Sequence, residues 1–163
     1  MSNTPNRASN SAGKSRRKDV SLDLPTARQM LPLIKSIVSD IVVSRTALTR
    51  LAPEQERLER HRRDLVWQER QRRYQISEEI AAAERSITTA LGELTSLGVN
   101  ITDPEVGEVD FPTKINGRPA AFTWKMGEDG VVHWHYAGEV LRRPIPADWD
   151  HAKATPVRFR GVP

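Results

Sequence analysis

The chain has 163 residues, 25 basic against 21 acidic side chains for a net charge of +4, and no cysteine. This length corresponds to one domain of ordinary size with tails. The lack of cysteine excludes disulfides, thiolate catalysis and cysteine-based zinc sites, and we expect a cytoplasmic protein. No apolar run approaches the roughly 18 residues of a membrane span, and no apolar stretch typical of a secretory signal follows the basic N-terminus, so we expect no membrane partner.

The first segment, residues 1–22, is rich in Ser, Asn, Gly and basic residues and has few apolar side chains. Such a composition predicts a disordered basic tail, because too little apolar surface is available to bury. Its basic cluster consists of Lys14, Arg16, Arg17 and Lys18. This cluster is either a contact for nucleic-acid phosphates or part of a solubilising tail.

Two apolar stripes with helical spacing follow, from Ile34 to Leu65 and from Ile76 to Leu97. Steps of three and four predict helices over about 25–63 and about 67–97, paired within residues 23–98 as a coiled-coil-like antiparallel hairpin. Pro53 interrupts the first stripe and predicts a kink or a short break near Leu51. The same stripes fit either one chain folded on itself or a dimer in which helices pair between chains.

The predicted tip of the hairpin lies near residues 64–68 and carries Trp67 among many charged side chains. One interpretation is an arginine-rich patch with an aromatic residue that contacts RNA or an acidic partner. The other is a solvent face laced by ion pairs three or four residues apart. The arginines that we single out for nucleic-acid contact are Arg62, Arg63, Arg72 and Arg73.

After residue 99 the apolar period changes from helical to two. Alternation around Phe111, Trp124 and Trp134 predicts three short strands within residues 99–140, with the aromatic residues on one face. The Asn116-Gly117 pair predicts a tight hairpin turn between the first two strands. The predicted fold is therefore α+β, a long antiparallel helical hairpin followed by a small three-stranded antiparallel β-meander packed on its base. Residues 141–163 are rich in proline and predict an extended C-terminal tail.

Strand parity places Asp110, His133 and His135 together on the face opposite the aromatic residues. Two imidazoles and a carboxylate suit a zinc or iron site. Alternatively these side chains are structural, with Asp110 paired to Arg118 or to a backbone N–H and His135 hydrogen-bonded in a partly buried junction. A third interpretation is a ligand or partner pocket formed by Asp110, Arg118, Trp124, Trp134 and His135. Neither a phosphate-binding glycine loop nor a serine elbow is present, so we assign no catalytic residue.

One family shows the same arrangement of motifs. Val109-Asp110-Phe111-Pro112, Asn116-Gly117-Arg118, Trp124-Lys125 and Trp134-His135 follow a charged helical region here. In this respect the chain resembles the uncharacterised prokaryotic family called domain of unknown function 2203, over roughly residues 23–146. The chain departs from the family pattern at Thr123, where the family often has cysteine, and after His135. The resemblance implies the fold and a cytoplasmic location, but no activity.

Three functions remain open at this point. The first is a non-catalytic protein-interaction or self-association module built on the helical hairpin. The second is association with nucleic acid or the ribosome through the basic tail and the arginine-rich tip. The third is a metal-binding module or metalloenzyme at Asp110, His133 and His135, with zinc or iron as its cofactor.

Overall fold

Two long helices and a five-stranded antiparallel sheet make up the computed structural model, which describes residues 20–151. The helices are α1 (Leu24–Arg60) and α2 (Trp67–Ser96). The sheet comprises β1 (Asn100–Asp103), β2 (Glu108–Ile115), β3 (Arg118–Lys125), β4 (His133–Tyr136) and β5 (Arg143–Pro144), and a 3-10 helix covers Ala147–His151. The predicted basic tail up to residue 19 and the predicted C-terminal tail from residue 152 onward lie outside the described residues.

Helix α1 runs without interruption for 37 residues, about 55 Å at 1.5 Å per residue. Asp23 caps its first turn by accepting a 2.8 Å hydrogen bond from the backbone N–H of Thr26. Pro53 lies inside the helix and does not split it. The helix ends at Arg60, three residues earlier than the sequence pattern predicts, and His61 to Asp64 form the turn. Between residues 20 and 151, no helix is both long and apolar enough to cross a membrane.

The hairpin has two separate apolar cores. Near the sheet, α1 and the end of α2 contribute Ile34, Val38 and Leu94 to the main core. Farther along, the second core is a small cluster formed by Leu51, Leu58, Leu65 and Ile76. We call residues 51–80, which surround this second cluster, the arm. The arm is therefore held together by its own few contacts rather than by the sheet.

The sheet is a meander in which each strand pairs with the next along the chain. Val109 pairs with Trp124, and Phe111 pairs with Phe122. These four side chains belong to the main core together with Trp134, so the aromatic face of the sheet packs against the helices. The opposite face carries the polar side chains described below.

The prediction of three strands is wrong, because the sheet has two further edge strands. β1 is short and polar, and its pairing with β2 contains an irregularity between Ile101 and Asp103. β5 has only two residues, and the segment that contains it was predicted to be an extended tail. Instead this segment adds a strand and a 3-10 helix, and Ile145 and Trp149 pack against the main core. The ring centroids of Trp149 and Trp134 are 5.3 Å apart.

Candidate functional site

The outer face of the sheet gathers the titratable side chains singled out in the sequence. The strand register aligns Asp110, Thr123 and His133 in one cross-strand row, and Pro112, Ala121 and His135 in the next. Asp110, His133 and His135 therefore share one face, as strand parity predicts.

The other predicted pocket residues lie elsewhere. Trp124 and Trp134 are buried in the main core, on the opposite side of the sheet from Asp110. The Arg118 guanidinium stacks on Tyr136, 3.9 Å from the ring centroid, so its partner is an aromatic ring. Of the five residues proposed for a ligand pocket, Asp110 and His135 are joined by a hydrogen bond on the outer face, and the other three do not join them there.

His135 and Asp110 form a close pair on this face. Nε2 of His135 is 3.0 Å from Oδ2 of Asp110, and Nδ1 is 2.9 Å from the carbonyl oxygen of Tyr136. Both partners are acceptors, so both ring nitrogens have to donate, which only the imidazolium can do. The side chains are 14% and 13% exposed, so this is a largely buried, charge-assisted hydrogen bond.

The pKa of His135 follows from this environment. Burial by itself lowers the pKa of an imidazole, but the hydrogen bonds to the Tyr136 carbonyl and to the Asp110 carboxylate outweigh it. The net effect raises the pKa of His135 above its ordinary value. A doubly protonated ring with two acceptors has no lone pair for a metal ion, and no free nitrogen to act as a general base.

His133 belongs to a different group of charges. Its Nδ1 lies 3.6 Å from Oε1 of Glu128, in the turn before β4. Arg142 donates a 2.8 Å hydrogen bond from Nη2 to Oε2 of Glu128, and its Nε lies 3.8 Å from Oε1 of Glu108. The hydroxyl of Thr123 also donates to Glu108, at 3.3 Å. This network connects the segment before β5 to the middle of the sheet.

Glu128 is the centre of that network. Burial raises the pKa of its carboxyl, but the Arg142 guanidinium and the backbone N–H of Lys125 together hold the pKa below its ordinary value. Its backbone carbonyl also accepts a 2.9 Å hydrogen bond from the indole of Trp124. Sequence reasoning did not place Glu128 or Arg142 beside this face, because residues outside the strands have no periodic pattern that locates them next to a strand.

The two histidines therefore face different carboxylates. Among residues 20–151, no group of three or more His, Cys, Asp or Glu side chains is arranged to hold a metal ion. A cavity of about 340 Å³ borders the Asp110–His135 pair, and Pro112 and Ala121 are among the residues that line it. The geometry supports a structural ion pair next to a shallow cavity.

The arm presents a second candidate surface. Trp67 and Tyr74 are 66% and 67% exposed on α2, although large aromatic side chains are usually buried. They are seven residues apart, so they lie two turns apart on the same side of the helix. The buried residues Ile76 and Ala83 face the opposite side, toward α1. Two aromatic residues thus project from α2 into solvent.

The arginines predicted to contact nucleic acid divide into two pairs. Arg72 bonds to Glu54 and Glu79, and Arg73 bonds to Glu59. Arg62 and Arg63 lie in the exposed turn of the hairpin and form no ion pair with any residue of the described range. The tail cluster of Lys14, Arg16, Arg17 and Lys18 lies outside the described residues. Arg70 also forms no ion pair within residues 20–151 and donates instead to the carbonyl of Leu65, so the uncompensated positive charge of the arm lies near its tip.

No curated protein and no solved structure matches this chain. One family model does match, that of an uncharacterised conserved protein, domain of unknown function 2203, over residues 22–145. This match covers both helices and all five strands of the sheet, including Asp110, Glu128 and His135. The chain therefore belongs to the family of uncharacterised conserved proteins called domain of unknown function 2203.

Proposed function

We propose that this protein is a non-catalytic protein-interaction module whose binding element is the arm. The observation that carries the proposal is the exposure of Trp67 and Tyr74 on one side of α2. Trp, Tyr and Arg are the residues that most often dominate the binding energy of protein interfaces. Neither ring belongs to either apolar core, and the Arg73 guanidinium lies 5.8 Å from the Tyr74 ring centroid, so both aromatic residues remain available to a partner.

The outer face of the sheet gives less support to a catalytic role. A general base needs an accessible nitrogen with a lone pair, and both nitrogens of His135 already lie within 3.0 Å of an acceptor oxygen. His133 lies beside the ion pair of Glu128 and Arg142, whose opposite charges compensate each other. A metalloenzyme with zinc or iron at Asp110, His133 and His135 is thus the least favoured alternative. Elemental analysis of the purified protein and of His135→Ala tests it, because that alternative requires about one metal per chain in the first and none in the second.

A protein partner is favoured over nucleic acid by the charge distribution of the arm. Nucleic-acid affinity depends on several basic side chains that follow the phosphate backbone. Here Arg57, Arg60, Arg72 and Arg73 are all paired with glutamates of the arm. A surface that combines both signs of charge with exposed aromatic residues resembles a protein interface, in which polar residues surround an aromatic anchor.

Site-specific photo-crosslinking tests this proposal. A photoreactive phenylalanine analogue replaces Trp67 in the full-length chain, and the matched control carries it at Val43, which is 65% exposed on α1. After irradiation in an extract of the cells that make the protein, products are identified by mass spectrometry. Any partner so identified is then purified and titrated against the wild-type chain and Tyr74→Ala.

Three outcomes separate the alternatives. A protein product at position 67 but not at position 43, with binding weakened by Tyr74→Ala, supports the proposal. A product that nuclease removes, and that Arg62→Glu with Arg63→Glu abolishes, points instead to nucleic acid and overturns it. Equal products at both positions, or none, overturn it as well. The proposal places the interaction in the cytoplasm, as expected for a cysteine-free chain.

A further inference from the structure

A cavity of about 340 Å³ lies on the outer face of the sheet, and we call it the outer cavity. Four of the residues that line it have small or rigid apolar side chains: Pro112, Pro119, Ala121 and Ala137. Pro112 pairs with Ala121 across β2 and β3, and Pro119 lies two positions before Ala121 and therefore on the same face. These side chains neither donate nor accept hydrogen bonds, so this part of the cavity suits the carbon skeleton of a ligand.

Asp110 lines the outer cavity with a carboxylate that is short of hydrogen bonds. His135 donates to its Oδ2, and its Oδ1 is buried and accepts no hydrogen bond from any residue between 20 and 151. An ionised carboxylate has about four acceptor sites, and buried polar atoms in native structures nearly always have a partner. A donor in the cavity can reach the second lone pair of Oδ2, or Oδ1 after a rotation of the carboxyl group about its soft last torsion. A ligand with a hydroxyl group would therefore give this carboxylate a second hydrogen bond.

Lys114 gives the outer cavity its net charge. It lines the cavity, is exposed, and forms no ion pair within residues 20–151. It lies four residues after Asp110 on β2, so the two side chains share one face and their Cα atoms are about 13 Å apart. The other charged residues of the lining, Asp110 and His135, compensate each other. The cavity therefore favours a ligand with a negative group, toward which the long, flexible lysine side chain can turn.

We propose that the outer cavity binds a small hydroxylated anion, whose negative group contacts Lys114 and whose hydroxyl donates a hydrogen bond to Asp110. The carbon chain between these groups lies on the proline and alanine side chains. A hydroxyl fits better than an ammonium group, because the imidazolium of His135 beside Asp110 would repel a second cation. The volume is near the lower end of the range of ligand pockets, about 300–1,000 Å³, so the ligand has the size of a small metabolite.

The outer cavity is separate from the arm, so this inference does not depend on the proposed function. Carboxylate and phosphate groups both form charge-assisted hydrogen bonds to lysine, and the negative group is one of these two. The probes of the test therefore include both kinds of anion.

Nuclear magnetic resonance titration of the full-length protein tests the inference. Glycerate and glycerol 3-phosphate carry both a negative group and hydroxyls, propionate and inorganic phosphate lack the hydroxyls, and glycerol lacks the charge. Glycerate or glycerol 3-phosphate should cause saturable shifts in the amides of Lys114, Ala121 and Ala137, with a dissociation constant of about 10 mM or lower. The three other probes should bind at least about tenfold more weakly, because each lacks one polar contact. The amides of the arm, residues 51–80, are the internal control and should not shift.

Two variants at exposed positions test the lining. Lys114→Ala should weaken binding about tenfold or more, because the ligand loses its ionic contact. The matched control is Lys125→Ala, which removes an exposed lysine that does not line the cavity and should leave binding unchanged. Ala137→Leu should abolish binding, because the larger side chain takes up space in the cavity.

The role of Asp110 is tested by a ratio of affinities within one variant. Wild-type protein should bind the hydroxylated probe at least about tenfold more tightly than its counterpart without hydroxyls. Asp110→Ala should bind the two probes about equally. Because both probes meet the same variant, a general loss of stability does not produce this change in the ratio.

The outcomes separate the proposed site from a cavity that holds only water. Saturable binding of a hydroxylated anion, its loss in Lys114→Ala and Ala137→Leu, and the lost preference in Asp110→Ala support the inference. The tighter of the two hydroxylated probes then identifies the negative group as a carboxylate or a phosphate. No saturable shift up to about 50 mM overturns the inference. Equal binding of the probes without hydroxyls, or an equal loss in Lys125→Ala, overturns it as well.

Discussion

Replacing Leu58 by alanine should open the arm without disturbing the sheet. Leu58 is 0% exposed and belongs to the second cluster, which has only three other buried members. Buried leucine-to-alanine changes cost about 2–5 kcal/mol, and the cost is largest where neighbours cannot collapse into the cavity. We expect about 3 kcal/mol here, in the middle of that range, because the cluster is small and Ile80, which packs against it, is only partly buried.

The readout is hydrogen exchange followed residue by residue. Because the second cluster is separate from the main core, the lost free energy should appear as local opening of residues 51–80. A loss of about 3 kcal/mol corresponds to roughly a hundredfold faster exchange for amides that exchange through this local opening. The amides of β2 and β3 should keep their wild-type rates at the same pH and temperature.

A matched control lies on the same helix. Leu33 is 52% exposed, so Leu33→Ala should change the free energy of unfolding by less than about 0.5 kcal/mol. If Leu58→Ala accelerated exchange equally in the arm and in the sheet, the two cores would unfold as one unit. The description of the arm as an independently held element would then be refuted.

Two further predictions concern the sheet. His135 gains its partners on folding and its pKa is raised, so its contribution is fully present below the ordinary histidine pKa of about 6.5 and is lost as pH rises through the raised value. Chemical denaturation across this pH range should show the decline for wild type and not for His135→Gln. Gly107→Ala should destabilise the protein by about 1–3 kcal/mol, because Gly107 has φ 71° and its new Cβ would lie 2.9 Å from Cγ1 of Val38. Gly130→Ala, where nothing lies within 4 Å, should have little effect on thermal unfolding.

Each of these predictions has an outcome that contradicts it. Equal pH profiles for wild type and His135→Gln would mean that the imidazolium pair does not form. A Gly107→Ala variant as stable as Gly130→Ala would mean that the β1–β2 turn moves away from α1 at no cost. Asp110→Asn complements the first test. It should cost about 1–3 kcal/mol at low pH, where it leaves a charged ring without its carboxylate.

The helices and the inner strands could be predicted because each repeats a pattern over many residues. Apolar residues spaced three and four apart predict α1 and α2, and the alternation of apolar and polar residues around Phe111 and Trp124 predicts β2 and β3. The positive φ of Asn116 and Gly117 matches the tight turn that this pair predicts. β1 and β5 could not be predicted in this way. They are short and polar or proline-containing, and they form through backbone hydrogen bonds to a strand that already exists.

The candidate site was predictable only in part. Alternation is enough to place Asp110, His133 and His135 on one face. Alternation does not show which carboxylate lies next to each histidine. That contact depends on Glu128, in a turn, and on Arg142, in the segment before β5. Similarly, the sequence pattern places the arginines near the tip of the hairpin. Their ion pairs could not be predicted, because the partners of Arg72 and Arg73 depend on the register between α1 and α2.

The most direct test of the central claim is the comparison of photo-crosslinking at positions 67 and 43 of the full-length chain. Both native side chains are about two-thirds exposed, so random collisions should label them equally. We expect a protein crosslink that is specific to position 67, on the side of α2 that faces away from α1. Equal labelling at both positions, or a product at position 43 alone, would contradict the assignment of the arm as the binding element.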